Sequence, residues 1–388
     1  MTTRPLALAA LLSLAAAPLE AQSLFNSAGL GTPVDALDGR ARAMGNLGIG
    51  LPGASLLPTD PAATAFNDFR TGVMAGQPSW VEYSGGPLPS GAFQGNRFPL
   101  LGVAVPLFAG TMSVEIGSVL DQRFTSETPG TVSLGGQDVA TVDFFDQEGA
   151  LSNLSLGYAQ RVGPRFAAGL RAGRYVGSLT RQVTREFDPV AGVEDYVERG
   201  KWSYTGYSVT GGLTADLTDG VRVAASVLVP TALDADADAA SGTEGPDQSF
   251  DLPMQLRVGA TARLAPGLIV QASGAYADWS GVGDDLVQPM DVGSANGFGV
   301  GLELSRARLL GKQAPLRFGF RRNSMPFALE GGSASERTFS GGFGLDLNRT
   351  NEVLLAGADF ALERGLRTSG SVEERFWRLT ISLVVSGS

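Results

Sequence analysis

A period of two runs through most of this chain and constrains it more than any other feature. Tyr207, Val209, Gly211, Leu213, Ala215 and Leu217 alternate with Ser208, Thr210, Gly212, Thr214 and Asp216. After Thr218-Asp219-Gly220 the pattern resumes, with Val221, Val223, Ala225, Val227 and Val229 against Arg222, Ala224 and Ser226. Met254 to Leu264, Leu316 to Phe320 and Trp377 to Val385 repeat it. Successive side chains of a strand point to opposite faces, so each stretch has one apolar and one polar face. A helix would place Arg257 and Val258 on nearly the same side.

Short Gly-, Pro-, Asn- or Asp-containing links join these strands in pairs, at 108–110, 163–165, 218–220, 265–267 and 348–351. Such residues supply the backbone angles of tight hairpins. Between the pairs lie longer polar stretches near 85–97, 125–148, 183–200, 231–252, 281–295, 323–336 and 364–374. Short turns at one end and long loops at the other are the pattern of a bacterial outer-membrane barrel. The expected strands are 70–83, 98–107, 111–123, 150–161, 166–180, 203–217, 221–230, 254–264, 268–279, 297–306, 314–322, 338–347, 352–362 and 375–385. Fourteen is an even number, which returns both chain ends to the periplasmic side.

A secreted β-sandwich or propeller also alternates, but buries its apolar face and packs larger residues there. Here the polar face is Gly, Ser, Thr and Arg, and the other carries mixed aliphatics. Trp80, Tyr83, Trp202, Tyr204, Tyr276, Trp279, Phe376 and Trp377 fall near strand ends, where a barrel places its aromatic girdles. The expected fold is an all-β transmembrane antiparallel barrel of about fourteen strands over 69–388, with lipid around it.

The chain opens with Arg4 and an apolar run from Leu6 to Leu19. Those fourteen residues fall short of the roughly 20 that span a bilayer. A cationic start, a short apolar stretch and a small residue before the cut describe a secretory signal peptide over 1–21, cleaved after Ala21. No later window is a long apolar run.

Absences narrow the function. The chain has no Cys and no His, and 29 Lys+Arg against 39 Asp+Glu give a net charge of −10. Disulfides, thiolate metal sites and the commonest general base are excluded. Without clustered Lys and Arg, phosphate neutralisation fails, so nucleic acid is not an expected partner. Gly48 to Gly53 matches a dinucleotide glycine pattern but lacks the following helix. Asp234, Asp236 and Asp238 begin like a calcium loop, but Ala239 stands for the required Gly and Gly245 for the bidentate Glu. No enzyme, cofactor or metal is expected.

Residues 22–68 do not alternate. They contain Ala41-Arg42-Ala43-Met44-Gly45-Asn46-Leu47-Gly48-Ile49-Gly50 and then Asp60-Pro61-Ala62. This stretch resembles the plug of the FadL-type fatty-acid and hydrocarbon transporters. In that family an Arg-Ala-x-Gly-x-Ala-Gly stretch leads to Asn-Pro-Ala before the first strand, and its barrel has fourteen strands. Arg42, Gly45, Gly48, Asp60, Pro61 and Ala62 carry the likeness, with Asp60 standing for Asn. The segment is also similar to that of PorV-type barrels of type IX secretion. Physically, a barrel of this size leaves a lumen that its own side chains cannot fill, and Pro52, Pro58 and Pro61 keep the segment out of the sheet.

The resemblance implies an outer-membrane channel for passive uptake of hydrophobic small molecules, with Leu24, Phe25, Met44 and Leu47 as pocket residues. Its alternative is a PorV-like barrel that engages exported proteins through its loops. Parity places Arg171, Asp216, Arg222, Arg257, Arg263, Glu303, Arg317, Asp346, Asp359 and Arg378 in the lumen. They would pair there and avoid lipid, where Arg or Lys at midplane costs ~2–4 kcal/mol.

Overall fold

The computed structural model describes residues 23–387 except 54–55, 87–88, 190–191, 244, 287–291, 310–311 and 351–352. The expected signal segment, 1–21, lies outside the described residues. Fourteen strands form the wall: β1 (Arg70–Ser84), β2 (Gly91–Leu107), β3 (Gly110–Asp121), β4 (Gln137–Val162), β5 (Phe166–Phe187), β6 (Tyr196–Thr218) and β7 (Val221–Pro230). They continue as β8 (Gln255–Ala265), β9 (Leu268–Asp278), β10 (Ser294–Leu304), β11 (Leu316–Met325), β12 (Ala334–Thr350), β13 (Val353–Ser369) and β14 (Val372–Gly387). Each pairs antiparallel with the next. β14 pairs with β1, from Gly387 opposite Arg70 to Glu373 opposite Ser84, and closes the cylinder. Closure leaves no unpaired edge in the wall, which is what lets a sheet span a membrane.

The alternation sets the two faces. Leu101, Val103, Leu156, Leu170, Leu213, Val258, Phe318 and Leu362 point outward and are exposed, as a lipid-facing belt requires. Ser113, Ser155, Thr210, Thr214, Thr261, Ser273, Thr380 and Ser382 point inward and are buried. Gly163 (φ +73°) and Gly267 (φ +93°) make the reverse turns at the short-turn end. Phe108, 91% exposed at that end, occupies a turn where an aromatic anchor meets the membrane interface.

Two features depart from the sequence reading. The polar stretches 125–148 and 183–200 are largely strand. β4 and β5 run on beyond the membrane belt, and Phe124–Leu134 pairs with the first half of β4. Both faces of this projecting sheet meet water, so no apolar face marks its period. The aromatic girdle is also only partly outside. Trp80, Tyr276 and Trp377 are exposed on the exterior, whereas Tyr204, Trp279 and Phe376 are buried inside. Position near a strand end gives the level of a residue, but parity decides its face.

Tyr204 and Trp279 belong to an apolar cluster that fills the long-loop half of the lumen with Leu120, Leu151, Tyr175, Leu233, Phe250 and Phe327. Trp279 meets Phe327 edge-on at 5.6 Å between centroids. Leu233 and Phe250, from two short strands within the expected 231–252 loop, fold into this cluster while Asp234 faces out and accepts from Ser249. Asp238 is taken by Ser241 Oγ at 2.8 Å and by Lys201 at 3.4 Å.

Candidate functional site

Ser23 to Gly53 and Leu56 to Asn67 lie inside the barrel, and most of their side chains are buried. The segment contains three short helices, Leu24–Ser27, Gly39–Ala43 and Pro61–Phe66. Asp38 caps the second by accepting from the Ala41 N–H at 2.7 Å. Asp60 caps the third, with Pro61 in the first-turn position that proline favours.

Small residues explain how the plug seats. A methyl at Gly299 would collide with the Gly45 carbonyl, one at Gly301 with the Met44 carbonyl, and one at Gly319 with the Gly45 nitrogen. At Gly259 it would lie 2.7 Å from the Ile49 carbonyl, and at Gly342 2.7 Å from the Ala43 methyl. Gly45 itself has φ +60°, which allows the backbone to turn against the wall. The plug motif therefore meets a track of wall glycines, backbone against backbone.

Within the motif, Asn46 uses both ends of its amide. Its Oδ1 accepts from Gly48 and Ile49, and its Nδ2 donates to the Ile49 carbonyl and to Gln271 Oε1. Gly48 (φ +85°) leaves room for Thr59. Asp60 accepts from the Gly50 N–H on one carboxylate oxygen (2.8 Å) and the Ala63 N–H on the other (3.3 Å). An asparagine has one acceptor oxygen where this site uses two, which gives a physical reason for the Asp.

Charged residues hold the rest. Arg171, 3% exposed, meets Glu115 at 2.7 Å and donates to the carbonyls of Leu57 and Pro58. Glu303 sits between Arg40 (2.9 Å) and Arg317 (2.8 Å), and Arg317 reaches Asp359 at 2.5 Å. Asp216 pairs with Arg222 at 2.7 Å, whose guanidinium lies 4.0 Å from the centre of the Phe66 ring. Arg263 is exposed at the short-turn mouth beside Arg165 and Asp219. Asp346 is half-buried, opposite Gly357.

A second network lies nearer the long-loop end. Arg321 donates to Glu363 (2.9 Å), and Arg367 to Glu336 (2.8 Å) and Glu374 (3.0 Å). Arg378 stands 3.6 Å from both Glu336 and Glu363. Phe376 is flanked by Arg367 and Arg378 at 4.7 and 4.5 Å. Glu374 also accepts from Ser23 Oγ at 2.8 Å and from the Leu24 N–H, which ties down the start of the plug. Of the charged residues in this network the sequence reading named only Arg378. Arg321 follows Arg317 by four, and Glu363 and Arg367 follow Asp359 by four and eight, so lumen parity marked them equally.

Two adjoining cavities lie between plug and wall beside these networks. The first, about 130 Å³, is lined by Leu47, Trp279, Met325, Arg257, Arg321 and Arg42 among others. The second, about 90 Å³, reaches Asn153, Tyr175, Ser208 and Leu228. Pro33, Asp35, Gln255, Arg257 and Trp279 border both. Burial pushes the Asp35 carboxyl up, but Arg257, Arg321 and Arg42 outweigh it and hold the group below its usual range. An apolar cavity of about 150 Å³ accepts benzene, so the first has room for one ring or a short alkyl segment.

The four expected pocket residues are not brought together. Leu47 lines the first cavity. Met44 packs with Leu37, Leu51, Leu57 and Leu100. Leu24 and Phe25 pack with Phe124, Ala334 and Val372 near the long loops. Trp279 and Arg321, which the sequence reading did not place at a pocket, border the space that Leu47 faces.

No protein-family model matches the chain, and no curated protein matches it. Its similarity is to solved structures. The toluene transporter TbuX of Ralstonia pickettii is 16% identical, with a TM-score of 0.59 over 94% of this chain and 100% of that one. A FadL homologue of Pseudomonas aeruginosa is 14% identical, with a TM-score of 0.60 over 92% and 99%. The monoaromatic hydrocarbon channel CymD is 15% identical, with a TM-score of 0.58 over 92% and 98%. The likeness spans the whole barrel of each and is one of fold.

Proposed function

We propose that this chain, which has the fold of the FadL-type channels, is an outer-membrane conduit for passive uptake of hydrophobic small molecules. It would be exported by the signal segment 1–21 and would use no cofactor. The observation that carries the reading is the first cavity, about 130 Å³, between plug and wall and next to the apolar cluster of the long-loop half. Trp279 belongs to both. An apolar molecule arriving among the loops meets aromatic and aliphatic surface first, then a chamber of about its own size. Each buried CH₂ contributes ~0.8 kcal/mol, so binding needs no charged code along the apolar part of the path. The fold-level neighbours are named as transporters and channels, two of them for toluene or monoaromatic hydrocarbons, and this supports a channel rather than an enzyme.

The test is mass spectrometry of apolar compounds extracted from the intact protein, purified in a detergent that cannot mimic them, beside a Leu47→Trp variant that fills the first cavity. A stoichiometric apolar compound, lost from the variant, is the expected result. Exported proteins co-purifying through the loops, with no such compound, would overturn the reading in favour of a PorV-like assembly barrel.

A further inference from the structure

We propose that the outer surface of β11 to β14, at the long-loop rim of the barrel, docks the phosphorylated head group of a membrane glycolipid between Arg322 and Arg337. The site lies on the lipid-facing side of the wall. It rests on the outer-membrane barrel and is independent of what passes through the lumen.

The strand register arranges this face in rows. Phe320, Phe339, Arg364, Trp377 and Trp80 lie side by side on β11, β12, β13, β14 and β1. The Phe320 and Phe339 rings are 4.9 Å apart between centroids, and the Arg364 guanidinium lies 5.1 Å from the centre of the Trp377 ring. One row toward the short turns the face is apolar, with Phe318 and Leu362 exposed. One row toward the long loops stand Arg322, Arg337, Leu366 and Arg375. The next row carries the hydroxyls of Ser335 and Thr368, 3.2 Å apart. Aromatic rows mark the depth where hydrocarbon gives way to head groups. The arginine row, about 7 Å further along each strand, therefore stands at head-group level, with hydroxyls beyond it.

Arg322 and Arg337 are direct partners in the register, and both are exposed. Directly opposite side chains have Cβ atoms about 4.5–5.5 Å apart, where like charges destabilise a sheet. Neither arginine forms an ion pair among the described residues. Arg375, in the same row, shows the ordinary solution: Glu82 stands opposite it, and Glu373 lies 3.3 Å away. The chain has a net charge of −10, so carboxylates are plentiful, yet none pairs with Arg322 or Arg337 among the described residues. An anion from outside the chain removes the repulsion. A phosphate monoester suits the place, because it carries up to about two charges and its oxygens match two guanidinium forks. The acyl chains of the same molecule would lie on Phe339, Phe318 and Leu362, and its sugar hydroxyls would meet Ser335 and Thr368. A free anion would use neither surface.

Native mass spectrometry tests this on the full chain in a non-ionic detergent, with divalent cations chelated so that they cannot bridge lipid to carboxylates. The probes are diphosphoryl lipid A, phosphatidylglycerol, phosphatidylcholine and inorganic phosphate. Diphosphoryl lipid A should bind about tenfold tighter than either phospholipid, or more, since hydrogen bonds between charged partners are the strong ones. Arg322→Gln with Arg337→Gln should abolish that preference and leave phosphatidylcholine binding unchanged. Arg322→Lys with Arg337→Lys, which keeps the charges and loses the forks, should fall between. Arg174→Gln is the control, since Arg174 is also exposed on the outer side of the wall but stands between Leu154 and Tyr207. It should bind lipid A as wild type does. Without lipid, the double glutamine variant should withstand at least as much denaturant as wild type, because it relieves the repulsion; should it fold poorly, the lysine pair carries the test. Unchanged lipid A binding in both double variants, or an equal loss in Arg174→Gln, would overturn the proposal. So would phosphatidylglycerol or inorganic phosphate binding as tightly as lipid A.

Discussion

The plug is held in two ways along its length. From Gly39 to Phe66 it is seated chiefly by shape, with its backbone against Gly259, Gly299, Gly301 and Gly319 of the wall. From Ser23 to Asp35, beside apolar packing and the backbone pairing of Thr32 and Pro33 with Asp121 and Leu120, charged groups hold both ends: Glu374 grips Ser23 and Leu24, and Arg257 grips Asp35. Contact by shape cannot be exchanged, because nothing else fits where two backbones meet. Contact by charge can be, because another ion of the same sign can take the place. The difference makes the grips on Ser23, Leu24 and Asp35 the exchangeable points of the plug.

The largest expected effect tests whether the wall stands apart from the plug. Arg171→Met leaves Glu115 buried without its cation, and breaking such a pair costs about 3–5 kcal/mol. The barrel should lose that much stability in a denaturant titration, and Arg171→Met with Glu115→Leu should recover most of it. If the double variant is as weak as the single one, Arg171 acts chiefly through the carbonyls of Leu57 and Pro58, and the plug braces the wall. Next, Glu374→Gln weakens the grip on Ser23 and Leu24, and hydrogen bonds to charged groups contribute about 1.5–3 kcal/mol. Chymotrypsin should then cut at Phe25 while trypsin still spares Arg40 and Arg42. Cutting at all three would show that the plug comes away as one piece, which would break the comparison.

Gly319→Val makes the converse change. Overpacking costs about 1–3 kcal/mol, here against the backbone of Met44 and Gly45 rather than a side chain that can yield. Trypsin should reach Arg40 and Arg42, and conductance across a planar bilayer should rise. Gly211→Val is the control, because a methyl at Gly211 has nothing within 4 Å.

The two modes also differ in how far the sequence shows them. The fourteen strands are legible because one face of each is apolar, and the plug is legible because alternation stops between residues 22 and 68. Parity places Arg257, Arg317 and Asp359 on the inner face. Parity says nothing, however, about which charges from strands far apart in sequence share a level. Arg321 finds Glu363 across 42 positions, and Arg367 finds Glu336 across 31. Those meetings depend on the stagger of the closed sheet. The projecting sheet over 124–134 and 137–149 is hidden for another reason, since with water on both faces neither needs to be apolar. The wall glycines are visible individually, but only the path of the plug explains why Gly299, Gly301 and Gly319 stand together.

The smallest effect concerns the one position where the plug motif differs from the Asn-Pro-Ala pattern it resembles. Both oxygens of Asp60 accept backbone N–H groups, so Asp60→Asn turns an NH₂ toward one of them. Losing a cap of this kind costs about 0.5–2 kcal/mol. The carboxylate has a cost of its own. Burial pushes the Asp60 pKa above its ordinary 3.8, and the hydrogen bonds from Gly50 and Ala63 oppose this only in part. A raised carboxyl means that the unfolded chain loses its proton first. Wild-type stability should therefore fall as pH rises from about 3.8 through the folded value, while Asp60→Asn makes no such contribution. The variant should thus be less stable than wild type, by a margin that narrows as pH rises across that window. Denaturant midpoints at several pH values, read on both proteins, would show it. A margin that widens with pH would mean that the ionised carboxylate, gripped by two N–H groups, is the preferred state in the folded plug, and that shape and charge act together at this position.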